Sequence, residues 1–558
     1  MRVALLSHQW PGTRMGGIGA YVHQCAAALA AAGHEAHVFT LTTGAKNSPP
    51  GVTLHEVPDL AQRVANGDIS PALAAAINSG GEGIYRLAIG WLLTATLRES
   101  HQQNRFDIIE APDVEALGLP LLLDTSRDIP IVTHLHCCTA IAHQANNTPI
   151  GTEQQSIQAL EFAAIHLADG LCAPTQSVID TTRSLFPIDT NPSIIPHPFI
   201  CPDASFTPPP NNGSIIFLGR IERLKGCALL PTALNIFLAR NPLATFRFIG
   251  PDTASAPGGH SMRNFILQSL SPQIAGRVEF LGELPRHQID AQLAGCSFCV
   301  QPSLSENFSM ACCEAMAAGR TLIVAAGTGS VELVADAAVV VERDSVDRLA
   351  EAMDALYRDR PQLIDLSRKS YNRVRSLCSP PAIAAQRIEF YRKTIADFQP
   401  DRATRRMQTL PSSIAAALLP ALSMLTGSLA GASDSSEAKS PGSRLDRICH
   451  RVSQGDPARV LLYGAGKHTT RLLAERHTWE QHGHRVVGLI DDHPRFLQTP
   501  QYLGLPVRRL ADVQTDAMAG NTPPAVVLST DTYEELFWEQ TRSLREHGVP
   551  VFRLYDQR

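Results

Sequence analysis

The feature that most limits what this chain can fold into is an alternation of strand-like and helix-like runs that stops near residue 200 and then restarts. Residues 2–7 (RVALLS), 35–41 (EAHVFTL), 106–112 (FDIIEAP), 130–136 (PIVTHLH), 171–175 (LCAPT) and 193–198 (SIIPHP) are short apolar runs of strand character. Between them, residues 18–33 and 158–170 carry apolar side chains at helical spacing, with Gly33 placed as a C-cap. This alternation predicts a parallel sheet covered on both faces. The Pro- and Asn-rich segment 201–213 (CPDASFTPPPNNG) interrupts it. Strands are then expected at 214–220, 245–250, 277–282, 297–303, 320–327 and 338–342. Helices are expected at 229–240, from near Phe308 to Gly319, and at 383–398, the last closing the second unit.

At roughly 100–200 residues per domain, 558 residues make three or four domains. The expected partition is 1–200, 201–399, a low-complexity linker at 400–445, and a third small α/β unit at 446–558. The linker holds an uncharged stretch, 407–433, broken by Pro420. It is long enough for one membrane span but weakly hydrophobic, so a docked helix, a membrane-surface helix and a loose linker all stand ahead of a span. The net charge of −5 is small and argues against nucleic acid as a partner. Twelve cysteines without a framework spacing fit a reducing cytoplasm. Cys296 and Cys299 form a lone CxxC, read as core packing rather than zinc. MRVALLSHQW has one basic residue and reads as a first strand rather than a leader.

Ligands of open α/β sheets bind at the C-terminal ends of the strands, and the unusual residues fall there. Gly16, Gly17 and Gly19 lie between the first strand and its helix, where backbone N–H groups suit a phosphate. Arg220 and Lys225 bracket the turn GRIERLKG at the matching place in the second unit, a fork and a point charge for a diphosphate. His136 ends the run PIVTHLH, with His134 on the same side of the sheet. Residues 305–319, SENFSMACCEAMAAG, put Glu306 and Glu314 eight positions apart in an apolar stretch. One carboxylate at the loop and one along the helix would accept hydrogen bonds from sugar hydroxyls. Taken singly, each feature has an ordinary reading as a turn, a charged surface or a structural histidine. Together they describe a cleft for a nucleotide diphosphate sugar.

The chain resembles the retaining glycosyltransferases of the GT-B fold, family four of the carbohydrate-active enzymes. GGIGAYVHQCAAALAAAGHEAHVFT is similar to that family's glycine loop and helix, FLGRIERLKG to its GR…KG motif, and SENFSMACCEAMAAG to its E-x7-E motif. GTGSVELV is similar to the GG-x-x-E segment, with Thr328 in place of a glycine, and LEFAAIHLADGLCAPT to the segment before the inter-domain crossing, with Thr175 where serine is commoner. The resemblance spans residues 1–398. It implies two Rossmann-like domains facing across a cleft, and transfer of a sugar from a UDP- or GDP-sugar with retention of configuration. It implies that Gly17, with Gly16 and Gly19, approaches the donor phosphate, that Arg220 and Lys225 neutralise the leaving diphosphate, and that His136 lies beside the donor sugar. Glu306 would contact the sugar hydroxyls, with Asn307, Phe308 and Ser309 beside it. Glu314 would hold the ribose hydroxyls and Glu332 lie deeper in the nucleotide site. It implies no cofactor and no divalent metal. The acceptor stays open between a glycan, a lipid-linked glycan and a small molecule.

In the third, Rossmann-like unit, YGAGKHT (463–469) follows a strand. Gly464 and Gly466 match the first two glycines of a dinucleotide turn, but Thr469 takes the third place. Asp491, with Asp492, ends the next strand, where a ribose ligand would sit. A sensing or docking module and a structural remnant are both consistent with this. For the whole chain two further readings stand: a sugar-nucleotide epimerase of the same fold, and a non-catalytic sensor or scaffold.

Overall fold

The computed structural model describes residues 1–10, 16–41, 48–70, 74–75, 77–78, 81–124, 126–411, 414, 459–463, 485–490, 501–502, 505–519, 525–528, 538 and 541–553. Three sheets are present among them. The first has seven strands: β1 (Arg2–Leu6), β2 (Glu35–Thr40), β3 (Val52–Glu56), β4 (Ile108–Pro112), β5 (Ile131–His134), β6 (Gly170–Ala173) and β7 (Ser193–Ile194). They lie in the order β3-β2-β1-β4-β5-β6-β7, with every pairing parallel. The second comprises β8 (Ser214–Leu218), β9 (Thr245–Ile249), β10 (Val278–Gly282), β11 (Phe298–Gln301), β12 (Leu322–Ala325) and β13 (Val339–Val341). Its order, β10-β9-β8-β11-β12-β13, repeats the same winding, again all parallel. Each sheet therefore reverses strand order once, at β1/β4 and at β8/β11. Those are the points where the loops diverge and leave a crevice.

The strands are apolar runs because both faces are covered. All five residues of β4 and of β8 are buried. Helix Gly17–Ala31 packs its Tyr21, Val22, Cys25, Ala26 and Leu29 onto the first sheet. Phe217, Phe237, Phe246 and Phe248 anchor the core of the second.

Two expectations change here. Helix Pro380–Ala396 does not close the second unit. Its Ile383, Ala384, Ile388 and Tyr391 join the core of the first, against helix Gly17–Ala31. The reason is chemical as well as apolar, because this helix carries Arg387, whose buried partner Glu110 lies in the middle of β4. The helix of the E-x7-E segment starts at Met310, after Ser309 as its N-cap, rather than near Phe308.

The third sheet is β14 (Arg459–Tyr463), β15 (Arg485–Ile490), β16 (Gln501–Tyr502), β17 (Leu505–Arg508), β18 (Ala525–Leu528) and β19 (Val551–Arg553). Its order is β16-β17-β15-β14-β18-β19, parallel except for β16 with β17. It belongs to a separate compact unit formed by Val64–Tyr85 and Met424–Arg558, whereas both large sheets lie in the other unit. β14 and β15 stop immediately before Gly464 and Asp491. Gly464, Gly466, Asp491 and Asp492 lie outside the described residues, as does most of 407–433. Among the described residues no helix is long and apolar enough to cross a membrane.

Candidate active site

The second-domain half of the cleft is built on the loops after β8 and β11. Lys225 Nζ and Glu306 Oε2 form an ion pair at 2.7 Å, and Ser303 Oγ donates to the same oxygen at 3.3 Å. Burial works against the Lys225 ammonium, but Glu306 outweighs it and lifts the pKa above the ordinary lysine value. Arg220 is held by Glu222 at 2.9 Å, with its own side chain more than half exposed. Two glycines fix this arrangement. Gly226 has φ +75°, and a Cβ there would sit 2.0 Å from the carbonyl oxygen of Pro302. A Cβ on Gly329 would sit 1.8 Å from the carbonyl oxygen of Asn307, while its own N–H donates to Glu306 O at 2.8 Å. Only glycine lets these loops touch. Thr328, by contrast, has φ −125° and spends its hydroxyl on Ala325 O, so that position has no need of glycine.

The remaining residues of the E-x7-E segment divide by role. Ser309 Oγ accepts from Cys312 N and caps the helix. Phe308 is 5% exposed and its side chain packs into the core, with its ring 4.9 Å from His197. Asn307 offers its carbonyl to Thr175 Oγ1 of the first domain at 3.1 Å. Glu314 pairs with Arg286 at 2.5 Å, and burial lifts its carboxyl above the ordinary range despite that arginine.

The first-domain half is assembled from distant positions. Gly16 is the N-cap of helix Gly17–Ala31, with its N–H on Gln9 Oε1 at 2.8 Å. Gly17 begins the helix with open space around its Cα, and Gly19 is buried. This helix reaches the helix Met310–Ala317 of the second domain. His136 lies just beyond β5, 5% exposed, stacked on His134 at 4.3 Å. Its Nε2 has no hydrogen-bond partner among the described residues, and neither has His197 Nδ1. Burial holds both imidazoles well below the ordinary histidine pKa, so they stay neutral. The Tyr21 ring packs against His134 and His197 at a tilt and against His136 edge-on.

Beneath this cluster, Glu110 accepts from Tyr21 Oη, from Arg387 Nη1 at 2.6 Å and from Tyr391 Oη at 2.5 Å. Burial opposes the Glu110 charge, yet Arg387 keeps its carboxyl far below the usual range. Ring nitrogens of His134, His136 and His197 approach within 4.8 Å, a set of the kind zinc takes. A hydrogen bond accounts for their closest contact. Arg387 Nη2, a donor, reaches His134 Nδ1 at 3.3 Å. That leaves the His134 proton on Nε2, which meets His197 Nε2 at 3.2 Å. A cation is also already seated there in Arg387, and a metal would add to its charge.

Residues that sequence reading passed over complete this half. Asp113 Oδ1 accepts from Val114 N at 2.8 Å and His136 N at 2.9 Å. Glu161 accepts from Thr139 N and Thr139 Oγ1, each at 2.7 Å, and from Glu115 N at 3.1 Å. Burial pushes Asp113 up to about 7 and Glu161 up to about 8. Cys137, whose thiol burial pushes up to about 12, senses Asp113 on one side and Lys225 and Glu306 on the other. The helix that follows His136 meets the Arg223–Lys225 turn, where Asn146 Oδ1 accepts from Leu224 N.

Hydrogen bonds between the domains include Thr175 to Asn307, Leu224 N to Asn146 Oδ1 at 2.8 Å, and Glu332 to the N-terminus of helix Gln176–Leu185. Glu332 takes the N–H groups of Gln176 at 2.8 Å and Ser177 at 2.7 Å. Both its oxygens are thus engaged in an inter-domain cap. Between the domains lies a polar cavity of about 510 Å³, bordered by Gln144, Asn147, Thr181, Arg223, Glu306 and Arg343. That volume suits a small ligand.

Two like-wound α/β domains with opposed phosphate-type loops define a GT-B architecture. Comparison with known proteins agrees. Residues 15–200 match the family model described as Glycosyltransferase Family 4, and residues 203–373 that described as Glycosyl transferases group 1. The chain is 25% identical over 393 residues to the D-inositol 3-phosphate glycosyltransferase of Pseudarthrobacter chlorophenolicus, covering 66% of this chain and 89% of that one. It is 24% identical over 333 residues to the glycogen synthase of Mycobacterium tuberculosis, covering 58% and 77%. The fold of sucrose-phosphate synthase from Thermosynechococcus elongatus superposes with a TM-score of 0.56 at 19% identity, over 71% of this chain and all of that one. The chain belongs to the family-four glycosyltransferases, and it is an enzyme of that class.

Proposed function

We propose that the protein moves a sugar from a nucleoside diphosphate sugar to a hydroxyl acceptor with retention of configuration. The observation that supports this most is the Lys225–Glu306 ion pair on the loops after β8 and β11, the strand-order reversal of the second domain, with the helix that follows His136 packed against the Lys225 turn. As the sugar leaves the diphosphate, negative charge builds on the leaving oxygens. Lys225, a point cation beside that path, and Arg220, a mobile fork, are placed to take it up. Donor binding then frees Glu306 to accept from sugar hydroxyls. The partnerless Nε2 of the neutral His136 gives the sugar one more polar contact. The backbone N–H groups of the first helical turn at Gly17 suit a phosphate oxygen. With cations in these places, the transfer needs no divalent metal.

The polar cavity bordered by Arg223, Glu306 and Arg343 suits a hydroxyl-rich acceptor, and its arginines suit one bearing an anionic group. The names of the relatives include one phosphorylated cyclitol acceptor and one glucan, and both classes belong in the acceptor panel. The test is a screen of UDP-glucose, UDP-N-acetylglucosamine and GDP-mannose against such acceptors, reading nucleoside diphosphate release and product. One donor should release diphosphate in step with product, and Lys225→Ala and Glu306→Gln should not. A product that is the epimerised donor, formed without acceptor, would mean epimerisation instead.

A further inference from the structure

We infer that Glu161 and Asp113 are positioning residues that hold the His136–Thr139 segment and its helix in register for sugar transfer, an inference that rests on the transfer reading above. β5 ends at His134, and Leu135 N still reaches across to Cys172 O. Beyond that the chain leaves the sheet, and the next N–H, that of His136, has no ladder partner. Asp113 Oδ1 supplies one at 2.9 Å. Helix Thr139–Asn146 then begins without a capping side chain at its own N-cap, Cys138. Glu161, from the separate helix Thr152–Leu167, does the capping, with Oε2 on Thr139 N and Oε1 on Thr139 Oγ1. Its third bond holds Glu115 N, on a residue at φ +66°, a conformation side chains rarely adopt.

Both carboxylates are buried, Asp113 at 1% and Glu161 at 0% exposure, and neither has an ion-pair partner among the described residues. Burying a carboxylate without a cation is costly. A core that only had to fill space would use an amide or an apolar side chain here. What the two have in common is the segment they hold. One fixes the backbone of His136, and the other fixes the start of the helix that follows. The far end of that helix carries Asn146, which accepts from Leu224 N, next to Lys225. A shift at Thr139 therefore moves the segment that carries His136.

The test compares Glu161→Gln and Asp113→Asn with wild type on the donor that wild type turns over, and records amide hydrogen exchange. Turnover should fall about 10- to 100-fold, the usual effect of losing a group that orients a reacting one. Donor KM and the calorimetric affinity for the nucleoside diphosphate should stay within about 3-fold, because the diphosphate clamp lies on the other domain. Exchange should quicken only across 135–146. Thr139→Val, a milder change, should cost a smaller factor, and Thr139→Ser should restore wild-type turnover. Turnover within 2-fold of wild type in both carboxylate variants would overturn the inference. So would a loss that tracks faster exchange throughout the first domain. A wild type that turns over no donor would overturn the transfer reading instead, and the exchange pattern would still decide whether these carboxylates hold the segment.

Discussion

The two sides of the cleft are made in opposite ways. The second-domain side comes mainly from two short contiguous runs, 220–226 and 303–314, whose charges pair with one another or with Arg286: Lys225 with Glu306, Arg220 with Glu222, Arg286 with Glu314. The first-domain side comes from single residues on β4, β5, helix Thr152–Leu167 and helix Pro380–Ala396, almost all buried. A clamp for a mobile, charged donor can be exposed and adjustable. A platform that must aim one neutral imidazole has to be rigid, and rigidity is made by burial and by contacts distant in sequence.

The sharpest way to break this contrast is at Arg387. Arg387→Ala leaves Glu110 charged and buried without its partner, and should cost about 3–5 kcal/mol of stability. A thermal or urea unfolding series reads this directly. Lys225→Ala should do the reverse: turnover falls about 10²- to 10³-fold, the range for losing one charge-stabilising group, while the unfolding midpoint stays near wild type.

Smaller in size, the pH dependence should belong to the first-domain side. Asp113 and Glu161 have folded pKa values raised above their ordinary ones, to about 7 and about 8. A raised carboxyl favours the fold while protonated, and that contribution is lost as pH rises through the folded value. The unfolding midpoint should therefore decline from pH 6.5 to 8.5, and Asp113→Asn with Glu161→Gln should flatten the decline. The smallest effect is expected at the inter-domain cap. Glu332→Gln weakens a charge at a helix N-terminus worth about 1 kcal/mol. It should raise donor KM a few-fold in steady-state assays without a change in fold.

This division also sets what could be read from sequence. Both parallel sheets, and the residues of the Lys225–Glu306 pair, were legible because strand alternation and contiguous motifs are local signals. The cap that Glu332 makes was not legible, because its partner is a helix N-terminus contributed by residues 176–177 of the other domain, and no spacing announces that. Phe308 sits beside the paired Glu306, yet its side chain turns to the core. Helix Pro380–Ala396 follows the second sheet in sequence but packs on the first, since Arg387 and Tyr391 find Glu110 there. A buried glutamate inside an apolar strand, as in FDIIEAP, is a signal that a distant cation has to exist. Glu161 in the middle of an apolar helix was a second one.

Single-turnover measurement of donor cleavage in wild type, Lys225→Ala and His136→Ala tests most directly whether the two sides act on one sugar nucleotide. Lys225→Ala should lose both nucleoside diphosphate affinity and cleavage. His136→Ala should keep that affinity and lose cleavage by at least about 10²-fold. Cleavage by His136→Ala at the wild-type rate would contradict the account, because the buried first-domain platform would then be aimed at nothing.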